Sequence, residues 1–398
     1  MIQVVITGIG LISALGESLE ESWHNLIAGH SAIKLHQPFP QLKPYPLAMI
    51  GAQPAGLKIL TQLVVSSALK DAGLVPPLPD CGVVIGSSRS YQGLWEEMVR
   101  NMGVHGEETN EAYNSSYPTP HTPYPTPFLH HWLETLPHMN AIAAARQIGA
   151  CGVVLAPMAA CSTGIWAIAQ AAHLIQTGQC QRVIAGAVEA PITPLTLTGF
   201  QQMGALATTG AYPFDVHREG LVLGEGGAVF VLESLELAKQ RQAKIYGQIL
   251  GFGLTNDAGY VVAPDSEGKS AIAAIKQCLR RSQLTPNDID YIHAHGTATQ
   301  LNDRIESLII QQLFSLNVAV SSTKGSTGHT LGASGALGTA FSLVALNKQI
   351  SPPCIGLKEP EFDLNFVREI RETVIRHVLC LSFGFGGQNT VLALKTWV

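Results

Sequence analysis

Residues 152–187 read GVVLAPMAACSTGIWAIAQAAHLIQTGQCQRVIAGA, with no Asp, Glu, Lys or Arg before Arg182. Gly152 to Ala160 is apolar and is expected as a strand running into Cys161. Ser162 to Gln176 puts Ile165, Ala169, Ala172 and Ile175 on one helical face. Gln181 to Ala187 is apolar again and reads as the next strand. Strand, helix, strand is the unit from which sheets covered by helices are built, so the stretch points to an α/β fold.

The same alternation extends both ways. Upstream, Val4-Val5-Ile6 predicts a short strand, followed by a helix near Leu19 to Ala28 and another over Ile59 to Leu69. Cys81 to Gly86 reads as a strand ending in a Gly-Ser-Ser turn. Downstream, strands are expected at Gly226–Leu232, Ile245–Phe252, Ile289–Ala294, Val318–Ser321, Val378–Ser382 and Thr390–Lys395. Helices are expected at Ser270–Ser282, Ile305–Phe314 and Ala333–Leu346. Residues 103–138 break the pattern. Tyr113, Tyr117, Tyr124, Phe128 and Trp132 lie there among prolines and histidines without a period, which reads as a long structured loop of the kind that often carries function.

The 398 residues are 46% hydrophobic and only 13% charged, against about 25% charged in ordinary domains. Disorder is excluded and a large core is expected. So thin a charge also suggests surface covered by a second copy of the chain. The formal net charge of −5 shows no basic patch, so no nucleic-acid partner is expected. Seven cysteines, with no C-x-x-C pair, argue against a disulfide framework or zinc knuckle and for a reducing compartment. Met1 to Thr7 has neither a basic nor a long apolar segment and is not expected to be a signal peptide. The uncharged runs between Arg146 and Arg182 and between Lys324 and Lys348 are interrupted by Gly, Ser, Thr and His. They read as buried strand and helix rather than a membrane span.

Four features could carry chemistry. Cys161 in Ala159-Ala160-Cys161-Ser162-Thr163-Gly164 stands where a strand meets a helix N-terminus, whose free N–H groups and dipole favour a thiolate. It is either a nucleophile or a buried structural cysteine; the other six cysteines read as structural. His293-Ala294-His295-Gly296-Thr297-Ala298-Thr299 follows a strand. Its two histidines could pair on a metal, but no further ligand follows at a known spacing before Asp303, so none is expected. A satisfied core histidine, or a ligand held by polar contacts in the turn, is the other reading. In Lys324-Gly325-Ser326-Thr327-Gly328-His329 a lysine and a histidine flank what reads as a flexible turn before a helix, and the lysine ahead of the glycines excludes a phosphate loop. Phe383-Gly384-Phe385-Gly386-Gly387 offers bare backbone N–H groups that could hold an oxyanion. Gly8-Ile9-Gly10 suggests a dinucleotide fingerprint, but Ser13 stands in place of the third glycine. Leu35-His36-Gln37-Pro38 supplies no acid for a ribose, so no nucleotide cofactor is expected.

Taken together and in this order, these motifs resemble the β-ketoacyl-[acyl-carrier-protein] synthases, elongating condensing enzymes (type I/II) of the thiolase superfamily. Pro213-Phe214-Asp215, Gly220 to Gly227 and Ser382 to Asn389 carry the resemblance further, over nearly all of the chain except about residues 101–140. It implies an α/β fold, a thiolase-like five-layer α-β-α-β-α sandwich from two similar halves, residues 1–243 with the cysteine (and an insertion at about 101–140) and residues 244–398 with both histidines and the lysine. It implies a cytoplasmic homodimer acting on acyl and malonyl groups carried by phosphopantetheine on acyl carrier protein, with no metal, nucleotide or flavin. Cys161 would hold the acyl chain. His295 and His329 would stabilise the malonyl-derived enolate, and Lys324 would organise His329. The N–H groups of Cys161 and Phe385 would form the oxyanion hole. Thr297 and Thr299 would hold the pantetheine arm, and Phe200 and Phe385 would gate the pocket.

The resemblance has departures. Gly338 stands where the family's glutamate is expected. Gln300 and Asn302 replace a proline and a glycine in the turn after Thr299. Two other readings stay open: an enzyme of specialised lipid or polyketide assembly, and a non-catalytic partner subunit like a chain-length factor.

Overall fold

Ten strands form the frame: β1 (Val4–Ser13), β2 (Gly82–Gly86), β3 (Val154–Leu155), β4 (Arg182–Glu189) and β5 (Gly226–Ser234), then β6 (Gly247–Asn256), β7 (Tyr291–His293), β8 (Ala319–Ser321), β9 (His377–Gly384) and β10 (Gln388–Lys395). The computed structural model describes residues 2–106 and 132–397. Its strands run in the order β8-β7-β9-β10-β6-β1-β5-β4-β2-β3. Outward from the centre, the first half reads 1-5-4-2-3 and the second 6-10-9-7-8, the same pattern shifted by five. Strand directions repeat as well: β1/β5 and β5/β4 are antiparallel, β4/β2 and β2/β3 parallel. In the second half β6/β10 and β10/β9 are antiparallel, β9/β7 and β7/β8 parallel. The halves meet where Val4, Val5 and Ile6 pair with Ile249, Gln248 and Gly247.

Helices fill the layers. The central layer is α3 (Thr163–Gln176) and α7 (Ser334–Lys348). Every residue of α7 from Ser334 to Leu346 is buried, because a run of small and apolar residues has no polar face to present to water. Ile165, Ile168, Ala172, Ala336, Ala340 and Phe341 share one core cluster between the halves. On the outer face of the first half lie α1 (Leu57–Asp71) and α2 (Met139–Ile148), with Val64, Ala68 and Ile148 against Ile184 and Val229. On the outer face of the second lie α5 (Lys269–Ser282) and α6 (Gln300–Leu313), with Ile275 and Ile309 against Ile292 and Leu379. The result is the five-layer α-β-α-β-α sandwich of a thiolase-like fold. Among the described residues no helix is long and apolar enough to cross a membrane.

The elements differ from the sequence reading at four places. The first strand runs on through Gly8 and Gly10 to Ser13. These glycines make no turn: a Cβ on either would strike the α1 backbone at Ala68 or Val64, so they let α1 lie close on the strand. The strand expected over 152–160 is regular only at Val154–Leu155. Lys324–Thr327 is a buried helical turn rather than a flexible one. Of the loop expected over 103–138, residues to Gly106 end the helix Gln92–Gly106 and Met139 opens α2. Residues 107–131, most of the expected insertion, lie outside the described residues.

Candidate active site

Cys161 sits at a sharp elbow. Ala160 before it is in the left-handed region (φ 47°), which costs an L-residue energy and persists only where neighbours fix it. The fixing groups come from the other half. Ser382 Oγ donates to the Cys161 carbonyl at 2.9 Å, and Ser162 Oγ donates to the Ser382 carbonyl at 2.8 Å. A Cβ on Gly384 would lie 3.0 Å from the Cys161 nitrogen, so glycine there keeps the β9–β10 turn against the elbow. The Phe385 N–H favours the charged form of the sulfur, against the larger effect of burial.

Two imidazoles complete the group. His329 Nε2 is 3.2 Å from Cys161 Sγ. The His295 and His329 rings are 5.3 Å apart and nearly perpendicular, at 82°. His295 lies beyond the end of β7, so strand alternation does not relate it to His293. Its peptide is clamped between opposite charges. Glu306 on α6 accepts its N–H at 2.6 Å and that of Gly296 at 2.7 Å, while Lys324 Nζ donates to its carbonyl and stands 3.5 Å from its Nδ1. Lys324 therefore contacts His295 and reaches His329 only through its charge. Glu306 is a site residue that the sequence reading missed.

Burial decides the protonation states. Burial, with the Lys324 charge second, holds His295 and His329 well below the usual imidazole value, so both are neutral at physiological pH. Burial also pushes the Cys161 thiol up to about 11, against the opposing pull of Lys324 and Arg89. The thiolate favoured by the helix N-terminus is therefore not the resting form: burial outweighs the neighbouring positive charges. Below that value the thiolate fraction rises about tenfold per pH unit. The rate of Cys161 carboxamidomethylation by iodoacetamide, followed on its own peptide, is therefore expected to climb steadily from pH 7 to pH 9.5. A plateau near pH 7 would show an ion-paired thiolate instead.

The three side chains line one cavity of about 360 Å³. Thr297, Thr299, Gln300, Asn302 and Phe385 also line it. The Thr297 and Thr299 hydroxyls are 2.9 Å apart. Gln300 donates to the Arg218 carbonyl, and Asn302 Nδ2 donates to the Asp303 carboxylate at 3.0 Å, so both replacements have partners. The Phe200 and Phe385 rings stand 6.0 Å apart, and Phe200, on α4 (Pro194–Gln202), belongs to the same apolar cluster as Cys161. Cys161 Sγ and the ring nitrogens of His295 and His329 lie within 4.8 Å of one another, a span one metal ion could bridge. The Lys324 ammonium against His295 opposes a second cation there.

Gly338 has a physical explanation. A Cβ on it would lie 2.6 Å from His293 Cε1 and 3.2 Å from Cys380 Sγ. His293 fills the space that a side chain at 338 would need, is held neutral by burial, at about 3, and faces Thr323 Oγ1 at 3.2 Å from Nε2. Gly338→Glu is expected to destabilise the fold by about 3 kcal/mol, through overpacking and a buried charge. Adding His293→Ala is expected to recover part of that loss, as measured by denaturant unfolding. Additive losses would refute the pairing.

The site and fold define a class: condensing enzymes of the acyltransferase type, built on a thiolase-like sandwich. Residues 57–238 match the family model described as beta-ketoacyl synthase, N-terminal domain, and residues 246–358 the model for its C-terminal domain. The chain is similar to the 3-oxoacyl-[acyl-carrier-protein] synthase 2 of Coxiella burnetii, at 34% identity over 99% of this chain and 98% of that one. Against the synthase of the same name from Synechocystis the identity is 32%, with the same coverage. Among solved structures, a β-ketoacyl synthase from Burkholderia phymatum is 28% identical with a TM-score of 0.86, covering 100% of both chains. A ketosynthase bound to a hexaketide, in complex with its type II polyketide acyl-carrier protein, is 25% identical with a TM-score of 0.90, again over 100% of both. The chain belongs to the β-ketoacyl synthase family.

Proposed function

We propose that the protein condenses malonyl-[acyl-carrier protein] with an acyl chain held on Cys161, giving 3-oxoacyl-[acyl-carrier protein] and CO2 in fatty-acid elongation. The observation that carries this reading is one sulfur and two neutral imidazoles brought together in the lining of one cavity. In the first half-reaction the Cys161 proton passes to His329 Nε2. The sulfur bonds to the acyl carbonyl carbon, and the carrier's phosphopantetheine leaves as a thiol, taking that proton. In the second, the bond from the malonyl methylene to its carboxylate breaks. CO2 leaves, and the electron pair becomes the thioester enolate.

The enolate oxygen accepts hydrogen bonds from His295 and His329. Lys324 at His295 Nδ1 fixes the tautomer that donates from Nε2. His329 Nδ1 is buried with no partner among the described residues. Nothing locks its tautomer, so Nε2 accepts in the first half-reaction and donates in the second. The enolate carbon then attacks the acyl carbonyl. The N–H groups of Cys161 and Phe385 hold the oxyanion, and Cys161 is expelled and reprotonated from solvent. Thr297 and Thr299 hold the pantetheine arm, and Phe200 and Phe385 gate the way to the acyl side. Losing one oxyanion donor of this kind costs ~2.7–4 kcal/mol.

The two functional halves are residues 1–243 and 244–398, and the working form is a cytoplasmic homodimer. The exposed Leu155 and Met158 beside edge strand β3 support such a pairing. A second enzyme reading, polyketide assembly, is favoured by the likeness to the hexaketide-bound ketosynthase and to a ketosynthase/chain length factor with a TM-score of 0.88. A scaffold role is disfavoured, because Cys161 and both histidines are present and assembled. Incubation with acyl- and malonyl-carrier protein tests the proposal: 3-oxoacyl-carrier protein and CO2 are expected. Neither forming would overturn it, and growth rescue of a strain lacking its elongating synthase would separate the two enzyme readings.

A further inference from the structure

His293 is a buried titratable side chain that the mechanism above does not use. It closes β7 in the interior of the sheet, in register with Ser321 on β8 and Cys380 on β9. An imidazole in such a place is costly unless its nitrogens find partners, and an apolar side chain would fill the space without that cost. Gly338 leaves the room for the ring. Its neighbours there are one hydroxyl and one thiol: Thr323 Oγ1 lies 3.2 Å from Nε2, and Cys380 Sγ lies 3.9 Å from Nδ1. The ring does not line the cavity that holds Cys161.

The hydroxyl that His293 meets belongs to the corner carrying Lys324. Thr323 opens the buried turn Lys324–Thr327, yet its hydroxyl does not cap that turn. Its carbonyl accepts the Ser326 and Thr327 N–H groups instead, at 3.0 Å each. Three successive residues of this corner reach across to residues 293–296. Ser322 Oγ donates to the Gly296 carbonyl at 2.9 Å, Thr323 faces His293, and Lys324 Nζ donates to the His295 carbonyl beside its Nδ1. The two carbonyls would be there whatever the side chains; the Thr323 contact exists only because residue 293 is a histidine. We propose that His293 is a positioning residue for decarboxylation: by holding Thr323 it sets the Lys324 ammonium at His295 Nδ1, so that the His295 Nε2–H stays aimed at the enolate oxygen. The proposal rests on the reading of His295 as an enolate donor.

The test measures CO2 release from malonyl-carrier protein and single-turnover acylation of Cys161 separately, in the wild type, His293→Leu, His293→Gln, Thr323→Val and the double variant His293→Leu/Thr323→Val. His293→Leu fills the space without a nitrogen. It is expected to slow CO2 release ~5–10-fold, the scale of one hydrogen bond, and to leave acylation, which uses His329, at the wild-type rate. His293→Gln, whose amide can reach the same hydroxyl, is expected to keep most of the CO2 release. Thr323→Val removes the other end of the contact and is expected to give the same split, so the test stands even if His293→Leu does not fold. The double variant is expected to lose no more than either single one, as a shared contact requires. An equal fall in both half-reactions, unchanged CO2 release in His293→Leu and Thr323→Val, or additive losses in the double variant overturns the role of His293 while leaving His295 as donor. No CO2 release by the wild type overturns both readings.

Discussion

Cys161→Ala is expected to lower condensation by at least ~10⁴-fold, the scale on which loss of a covalent nucleophile acts, while leaving decarboxylation of malonyl-carrier protein measurable. The two activities separate because the site has separable parts. In the proposed mechanism the sulfur at the Ala160 elbow holds the acyl group. His295, anchored by Lys324 and Glu306, needs no sulfur to keep its place. His329 is likewise held through its own backbone, whose N–H donates to the Val222 carbonyl at 2.6 Å. The variant should therefore release CO2 from malonyl-carrier protein without forming the 3-oxo product. Retained condensation would remove the covalent step, and loss of both activities in a folded variant would show that the sulfur also organises the histidines.

The second large effect divides the histidines. His295→Ala is expected to reduce malonyl decarboxylation by ~10²–10³-fold, the usual consequence of losing a preorganised donor to a developing oxyanion, with Cys161 still acylated. His329→Ala should reduce decarboxylation by a similar factor and slow acylation too, because its Nε2 stands 3.2 Å from the thiol whose proton must leave. Single-turnover acylation and CO2 release, measured separately, check the division. Equal acylation rates in the two variants would refute the assignment of His329 as the proton acceptor.

The frame was legible where the pattern was local. The alternation of apolar runs identified most strands, and the uncharged run from 325 to 347 foretold a helix buried all round. What the sequence reading missed depends on distant backbone. Gly8 and Gly10 were left out of the expected strand because nothing nearby in sequence says that the backbone of Val64 and Ala68 lies against them. Glu306 reads as an ordinary helix acid; only the fold brings the N–H groups of His295 and Gly296 to it. Glu189 lies past the expected strand end at Ala187, and the groups it accepts from, on Ser87, Ser88 and Gly332, come from segments that only the fold brings to it. Gly338 was visible as a departure, and its cause, the His293 ring, was not. The Cys161 thiol is a related case: a helix N-terminus can be read from sequence, whereas the depth of burial that pushes the thiol up cannot.

One measurement bears most directly on the claim that Cys161 carries the growing chain beside two neutral imidazoles. Intact protein is mixed with acyl-carrier protein alone, with no malonyl partner, and its mass is recorded. A gain of one acyl group, located on the peptide containing residue 161, absent in Cys161→Ala and discharged when malonyl-carrier protein is added, is the predicted result. An unchanged mass in the wild type, or an acyl group that sits elsewhere and does not turn over, would contradict it.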